Sequence, residues 1–287
     1  MAAPRAFIFD LDGTLIDTRE DLTSAVNYIR GRFGLSRVSS SEVMRHTGLG
    51  LRYLVEQTVI RNLPDADLDA TLGGFRVHYR RHMLERTHPY SGVPDALKQL
   101  TRAGVSLGVA SNKPVRLARE ILDGLGLINS FAAVIGPENV DNGNKPSARL
   151  FLAAAEALGA RPKDCLAVSD TDLDLKAARS AKMRTCGVTW GFGEEKDLVS
   201  ARPDLVVRSP AEWVGLLKGS NGRRVLKKPA TRSTTARKPA KKTRKPAKKT
   251  RKPAKKTRKP AKKAKNKTAK STTRRSAAKR SRPARHK

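Results

Sequence analysis

The sequence predicts an α/β fold: a doubly wound parallel sheet, interrupted by a small helical insertion and followed by a tail with no core of its own. Short apolar runs without polar alternation, as in strands covered on both faces, recur at 6–9, 105–110, 132–135, 165–168, 185–189 and 205–207. Helical spacings lie between several of them, and strand alternating with helix is the pattern of a parallel sheet with helices on both sides. The third observation is positional. Of 60 Lys and Arg, 31 fall at 219–287 with no Asp or Glu, which leaves 29 basic against 26 acidic residues, a net +3, in the first 218 positions. A formal charge of +34 therefore belongs to an ordinary near-neutral globular part joined to a polycation. The globular part is long enough for one good core and a smaller insertion.

The first run, Ala6 to Phe9, passes directly into two aspartates. From 18 to 86 the alternation stops. Leu22, Val26, Ile29 and Phe33 share one helix face, and Leu68, Leu72, Phe75, Tyr79 and Met83 share another, so this stretch reads as a helical bundle. Gly48-Leu49-Gly50-Leu51 is expected to be a loop inside it, and Pro89-Tyr90-Ser91-Gly92-Val93 returns the chain to the sheet. The remaining helices are expected around Leu97 to Leu100, around Leu117, Ile121 and Leu125, from Leu150 to Leu158 and from Leu175 to Ala181. Asp10, Ser111 and Asp170 each follow a strand, and ligands of such sheets sit beyond the carboxyl ends of the strands. Three chain segments should therefore meet in one crevice.

Composition excludes several classes. Cys165 and Cys186 lie in apolar runs without Cys-x-x-Cys spacing, which reads as buried reduced thiols and not as a zinc or redox pair. Met1 to Arg5 run straight into the first strand with no signal peptide, and no window approaches a membrane span, so the expected location is the cytoplasm. His78 and His82 have i, i+4 spacing, but the Glu of a His-Glu-x-x-His site is absent and arginines crowd them. Gly191-Phe192-Gly193 is too short for a dinucleotide fingerprint, and no phosphate-binding Gly-x-x-x-x-Gly-Lys run exists.

The chemistry is concentrated in Phe9-Asp10-Leu11-Asp12-Gly13-Thr14-Leu15, which sets a nucleophile and a proton donor two residues apart at a strand end. Val109-Ala110-Ser111-Asn112, Lys145-Pro146 and Val168-Ser169-Asp170-Thr171-Asp172-Leu173-Asp174 follow in order. In order and spacing these motifs resemble the haloacid dehalogenase-like superfamily, whose core is Rossmann-like and whose insertion at this point is a mobile cap. The resemblance spans residues 5 to about 217 and implies a core of 1–17 and 87–218 with a cap at 18–86. It implies that Asp10 attacks phosphorus to give an aspartyl-phosphate, and that Asp12 protonates the leaving alkoxide and then takes a proton from water. Asp10, the Asp12 carbonyl and Asp170 would ligate Mg²⁺, with Asp174 either standing behind them or holding a metal-bound water. Ser111 with the adjoining Asn112, and Lys145, match the groups that hold the non-transferring phosphoryl oxygens.

Dehalogenases of the superfamily lack the second aspartate, so Asp12 argues for a phosphatase, with a phosphomutase or pyrophosphatase as alternatives. The segments 89–93 and 187–193 resemble phosphoglycolate phosphatases most closely, which makes a small phosphorylated metabolite, 2-phosphoglycolate or a near relative, the expected substrate. Two positions depart from the family pattern. Ser169 stands where glycine is usual, and Ala148 where a second proline is common.

The tail repeats Arg-Lys-Pro-Ala-Lys-Lys-Thr from Arg237, Arg244 and Arg251, and again from Arg258 with Ala264 in place of Thr. Proline in every repeat and no apolar seam exclude a coiled coil, and the stretch reads as disordered and self-repelling. It resembles the tails of linker histones and bacterial histone-like proteins. Four charges per repeat, over roughly 23 Å of extended chain, face about 13 duplex phosphates. With no aromatic residue after Trp213, neither base stacking nor base readout is offered. Non-specific binding of DNA or RNA, nucleoid association and no membrane attachment are the expectations. The alternative for the whole chain is a nucleic-acid-binding protein that carries the enzyme-like part as a regulatory module.

Overall fold

A computed structural model of the chain describes residues 3–63, 65–141 and 143–218, so the expectations for 219–287 lie outside the described residues. Along the chain run β1 (Ala6–Phe9), β2 (Ile16–Asp17), α1 (Arg19–Arg32), α2 (Ser40–Arg45), α3 (Leu51–Thr58), α4 (Leu68–His82), β3 (His88–Pro89), α5 (Val93–Arg102), β4 (Ser106–Ala110), α6 (Val115–Gly124), β5 (Ala133–Ile135), α7 (Arg149–Ala157), β6 (Cys165–Ser169), α8 (Asp172–Ser180), β7 (Arg184–Val188), α9 (Glu195–Ser200), β8 (Leu205–Val207) and α10 (Ala211–Gly215). Six strands form one parallel sheet in the order β5-β4-β1-β6-β7-β8. β1 lies between β4 and β6, which is why all four of its residues are buried and why its sequence does not alternate.

Successive side chains of a strand point to opposite faces, and the two faces of this sheet are built differently. Ala6 and Ile8 join Ala110, Cys165 and Ala167 against Leu150, Phe151 and Ala154 of α7 and Ala177 and Ala178 of α8. On the opposite face Phe7 and Phe9 join Leu107, Val109 and Val168 against Leu97 and Leu100 of α5, Leu117 and Ile121 of α6, and Trp213 of α10. The Trp213 ring centre is 4.9 Å from that of Phe9 and 5.6 Å from that of Trp190, and the side chain is fully buried. Trp213→Ala is expected to cost about 3 to 5 kcal/mol of stability, as large aromatic truncations in cores do, and a urea melt will read it.

The insertion packs around α1 and α4, with α2 against α1 and α3 against α4. Leu22, Val26 and Ile29 meet Leu72, Phe75 and Tyr79 in its interior. Phe33, expected on the same face, is 43% exposed because α1 ends at Arg32 and Gly34, at φ +69°, turns the chain away. Two features were not visible in the sequence. β2 and β3 pair antiparallel, Ile16 with Pro89 and Asp17 with His88, and so clip the entry and exit of the insertion together. Beside them the buried Asp21 carboxylate accepts hydrogen bonds from the Arg86 and Thr87 amides and the Thr87 hydroxyl. The short helices α9 and α10 were also missed. Cys165 and Cys186 are buried and free, and among the described residues no helix is long and apolar enough to cross a membrane.

Candidate active site

The carboxyl ends of β1, β4 and β6 bring Asp10, Ser111 and Asp170 to one cavity of about 670 Å³, closed on its other side by residues of the insertion that include Ser41, Arg45 and Leu51. The strand ends supply carboxylates and a hydroxyl, and the insertion supplies the opposite wall.

Lys145 organises the floor. Its ammonium lies 2.6 Å from Asp10 Oδ1 and 3.0 Å from Asp174 Oδ2 and is almost fully buried. Burial alone would pull its pKa down, but Asp10 and Asp174 outweigh it and the ammonium is held above its ordinary value. Asn112 fixes the lysine from behind, its Oδ1 accepting from the Lys145 amide at 2.8 Å and its Nδ2 donating to the Gly48 carbonyl at 2.8 Å. Expected as a phosphate group, Asn112 thus spends its side chain on backbone partners and joins the lysine loop to the insertion. Asp174 is likewise engaged, with Lys145 and with the Ser169 hydroxyl at 2.7 Å. The serine found where glycine is usual holds the carboxylate that holds Lys145.

Asp170 is fastened by three donors. Thr14 Oγ1 donates to Oδ1 at 2.9 Å, and the amides of Phe192 and Gly193 donate to Oδ2 at 2.7 and 3.1 Å. A Cβ on Gly191 would stand 2.3 Å from Asp170 Oδ2, and one on Gly193 would stand 2.1 Å from the Asp170 carbonyl oxygen. Close approach of backbone to carboxylate is therefore what these glycines permit. Sequence reasoning placed this segment in a loop but missed its task.

Asp12 sits two residues past Asp10, after which Gly13 at φ +88° turns the chain. Its Oδ1 accepts from Thr18 Oγ1 at 2.8 Å, and its Oδ2 lies 3.2 Å from the ammonium of Lys113. Lys113 was not among the expected residues. The available signal was its place two positions after Ser111, whose hydroxyl accepts from the Lys113 amide at 3.2 Å.

Charge decides what the cavity can hold. At the strand ends Asp10, Asp12, Asp170 and Asp174 lie around Lys113 and Lys145, so four carboxyl groups share two ammonium partners. Burial and then Asp174 push the Asp10 carboxyl well above the usual carboxylate range, and the same two causes push Asp170 up to about 6. Among the described residues no three His, Cys, Asp or Glu side chains form a finished metal cage. A hard divalent cation that keeps several waters needs fewer protein oxygens, and Asp10 and Asp170 at neighbouring strand ends offer them, so the donor set fits magnesium. His78 stacks on Tyr28 at 3.6 Å and His82 pairs with Glu85 at 2.6 Å, which accounts for both without a metal.

Residues 7–188 match the model of the haloacid dehalogenase-like hydrolase family. A phosphoglycolate phosphatase of Agrobacterium fabrum is 36% identical over 203 residues, 70% of this chain and 86% of that protein. An N-acetylmuramic acid 6-phosphate phosphatase of Pseudomonas aeruginosa is 29% identical over 214 residues, 74% of this chain and 94% of that protein. A crystal structure described as a predicted phosphoglycolate phosphatase from Haemophilus somnus superposes with a TM-score of 0.70 at 25% identity, covering 75% of this chain and 99% of that one. With the sheet order and the strand-end carboxylates as described, the chain belongs to the haloacid dehalogenase-like hydrolase family and is a phosphoric monoester hydrolase.

Proposed function

We propose that the chain is a Mg²⁺-dependent phosphatase of small phosphate monoesters that also carry a carboxylate, 2-phosphoglycolate first among them. The observation that carries this reading is the buried Asp10 carboxylate at the end of β1, 2.6 Å from the Lys145 ammonium and beside Asp12 in a cavity of about 670 Å³. Asp10 attacks phosphorus and the bond to the leaving alkoxide breaks, with Asp12 giving that oxygen its proton. Water then attacks the aspartyl-phosphate, Asp12 takes its proton, and inorganic phosphate leaves with Asp10 restored. Lys145 and Ser111 hold the phosphoryl oxygens that do not transfer. Asp10, Asp170 and the Asp12 carbonyl would hold the magnesium ion, which when bound offsets the charge of nucleophile and phosphate.

Substrate preference is assigned to residues 18–86, acting as a cap over the strand ends. Both activities named among the relatives concern phosphorylated acids, and Arg19 and Arg45 line the cavity, beside Asp17 at 3.8 Å and Glu42 at 2.7 Å, so a substrate carboxylate would share or take over one of these cations. For residues 219–287 we propose non-specific, salt-sensitive binding of nucleic acid, on the strength of 31 basic residues with no acidic one. Cytoplasmic location and nucleoid association belong to the same proposal.

Phosphate release from a panel of esters tests the reading. Activity on 2-phosphoglycolate is expected to vanish with EDTA and return with Mg²⁺. 2-Hydroxyethyl phosphate, of similar size without the carboxylate, should react about 10- to 100-fold more slowly, the worth of one charge-assisted hydrogen bond. Turnover indifferent to EDTA would reject the metal, and equal rates would reject the carboxylate preference.

A further inference from the structure

Lys113 is buried to its tip, and no step above uses it. It reaches from the loop after β4 toward two different parts of the chain. Its ammonium lies 3.2 Å from Asp12 Oδ2, donates to the Tyr79 hydroxyl at 2.9 Å, and stands 4.8 Å from the centre of the Tyr79 ring. Tyr79 is fully buried in α4, the last helix of the insertion, and Thr18, which holds the other oxygen of Asp12, stands just before α1, the first. Both oxygens of the Asp12 carboxyl are thus fixed by groups whose placement depends on how the insertion is seated.

A carboxyl that must hand over a proton has to lie within hydrogen-bond reach of the leaving oxygen, and a misplacement of about 1 Å costs up to roughly 100-fold. Two of the three ammonium donors of Lys113 are committed to Asp12 and Tyr79, and the flexible stem has been immobilised by burial. A buried cation so placed makes a fixed strut between α4 and the Asp12 side chain. We propose that Lys113 and Tyr79 are positioning residues for Asp12, and that through them proton transfer to the leaving group depends on the seating of α4. The inference rests on the reading of Asp12 as the proton donor.

The test uses the full-length chain and two esters that share a phosphoryl group and differ in leaving group. The alkoxide of 2-phosphoglycolate needs a proton as it departs, whereas the phenolate of 4-nitrophenyl phosphate does not. kcat/KM reports events up to formation of the aspartyl-phosphate and so isolates this proton. For Lys113→Met, kcat/KM is expected to fall on the order of 10- to 100-fold with 2-phosphoglycolate and less than about threefold with the aryl ester. Tyr79→Phe, which removes a single oxygen, should show the same selectivity at about 2- to 10-fold and decides the matter if Lys113→Met does not fold. Equal losses with both esters, or no loss with either, would overturn the proposal. Asp12→Asn run in parallel separates the two levels of argument. If it too lacks dependence on the leaving group, the reading of Asp12 fails, and if it shows it while both positioning variants do not, only the present inference falls.

Discussion

Asp10→Asn is expected to leave no measurable turnover of any phosphate ester, because an amide has no anionic oxygen to attack phosphorus. Asp12→Asn should instead slow hydrolysis about 10²- to 10⁴-fold, the usual worth of a lost general acid and base. Stability should move the other way. Burial and the neighbouring Asp174 raise the Asp10 pKa, so its charged form opposes folding near neutral pH, and that opposition weakens as pH falls through the folded pKa. Asparagine carries no such charge. The melting temperature of Asp10→Asn in EDTA should therefore equal or exceed that of the parent chain at pH 7, an exchange of stability for activity common at catalytic positions. Wild-type hydrolysis by the variant would remove Asp10 as nucleophile, and a large drop in melting temperature would contradict the electrostatic account.

The second large effect concerns the polycation. A chain ending at Lys218 keeps the whole sheet, both helical layers and the cavity, and is expected to retain phosphatase activity. It should lose nearly all affinity for duplex DNA. For the full-length chain the logarithm of the binding constant should fall with that of salt by about 0.9 per phosphate contacted, so that six to ten contacts lose about 10³- to 10⁵-fold between 50 and 200 mM. Anisotropy titrations of both chains at two salt concentrations, beside a phosphate-release assay, give the answer. Equal DNA affinities would reject the tail as the binding element, and an inactive truncation would make residues 219–287 part of the enzyme.

Elements whose residues are buried for one reason were legible in the sequence. β1, β4, β6 and β7 are covered on both faces, so an unbroken apolar run marks each within a residue or so. β2 and β3 have two residues each, too few for any period, and their pairing spans more than 70 positions of chain. Asp10, Asp12, Ser111, Lys145, Asp170 and Asp174 stood out as a set because chemistry-bearing residues stood in a known order, and the structure brings the other five to one cavity with Lys145 buried against Asp10 and Asp174. Lys113 did not stand out. A lysine before a proline in a loop reads as solvated, and its partners, Asp12 and Tyr79, lie about 100 and 34 positions away in the chain. Ser169 stood out only as a departure from the family pattern, because its hydroxyl partner, Asp174, is set beside it only once the chain turns into α8.

The clip between β2 and β3 has a meaning for how such a protein can change over time. Because Ile16 and Pro89 stand side by side, roughly 5 Å apart as antiparallel partners do, everything between them is a closed excursion as far as the sheet is concerned. Lengthening or exchanging that excursion adds only a small closure cost, which grows with the logarithm of its length. A lineage can therefore replace most of the cassette between two neighbouring attachment points while Asp10 and Asp170, at the ends of β1 and β6, keep their places, provided Thr18 and Tyr79, the partners of Asp12 and Lys113, are retained.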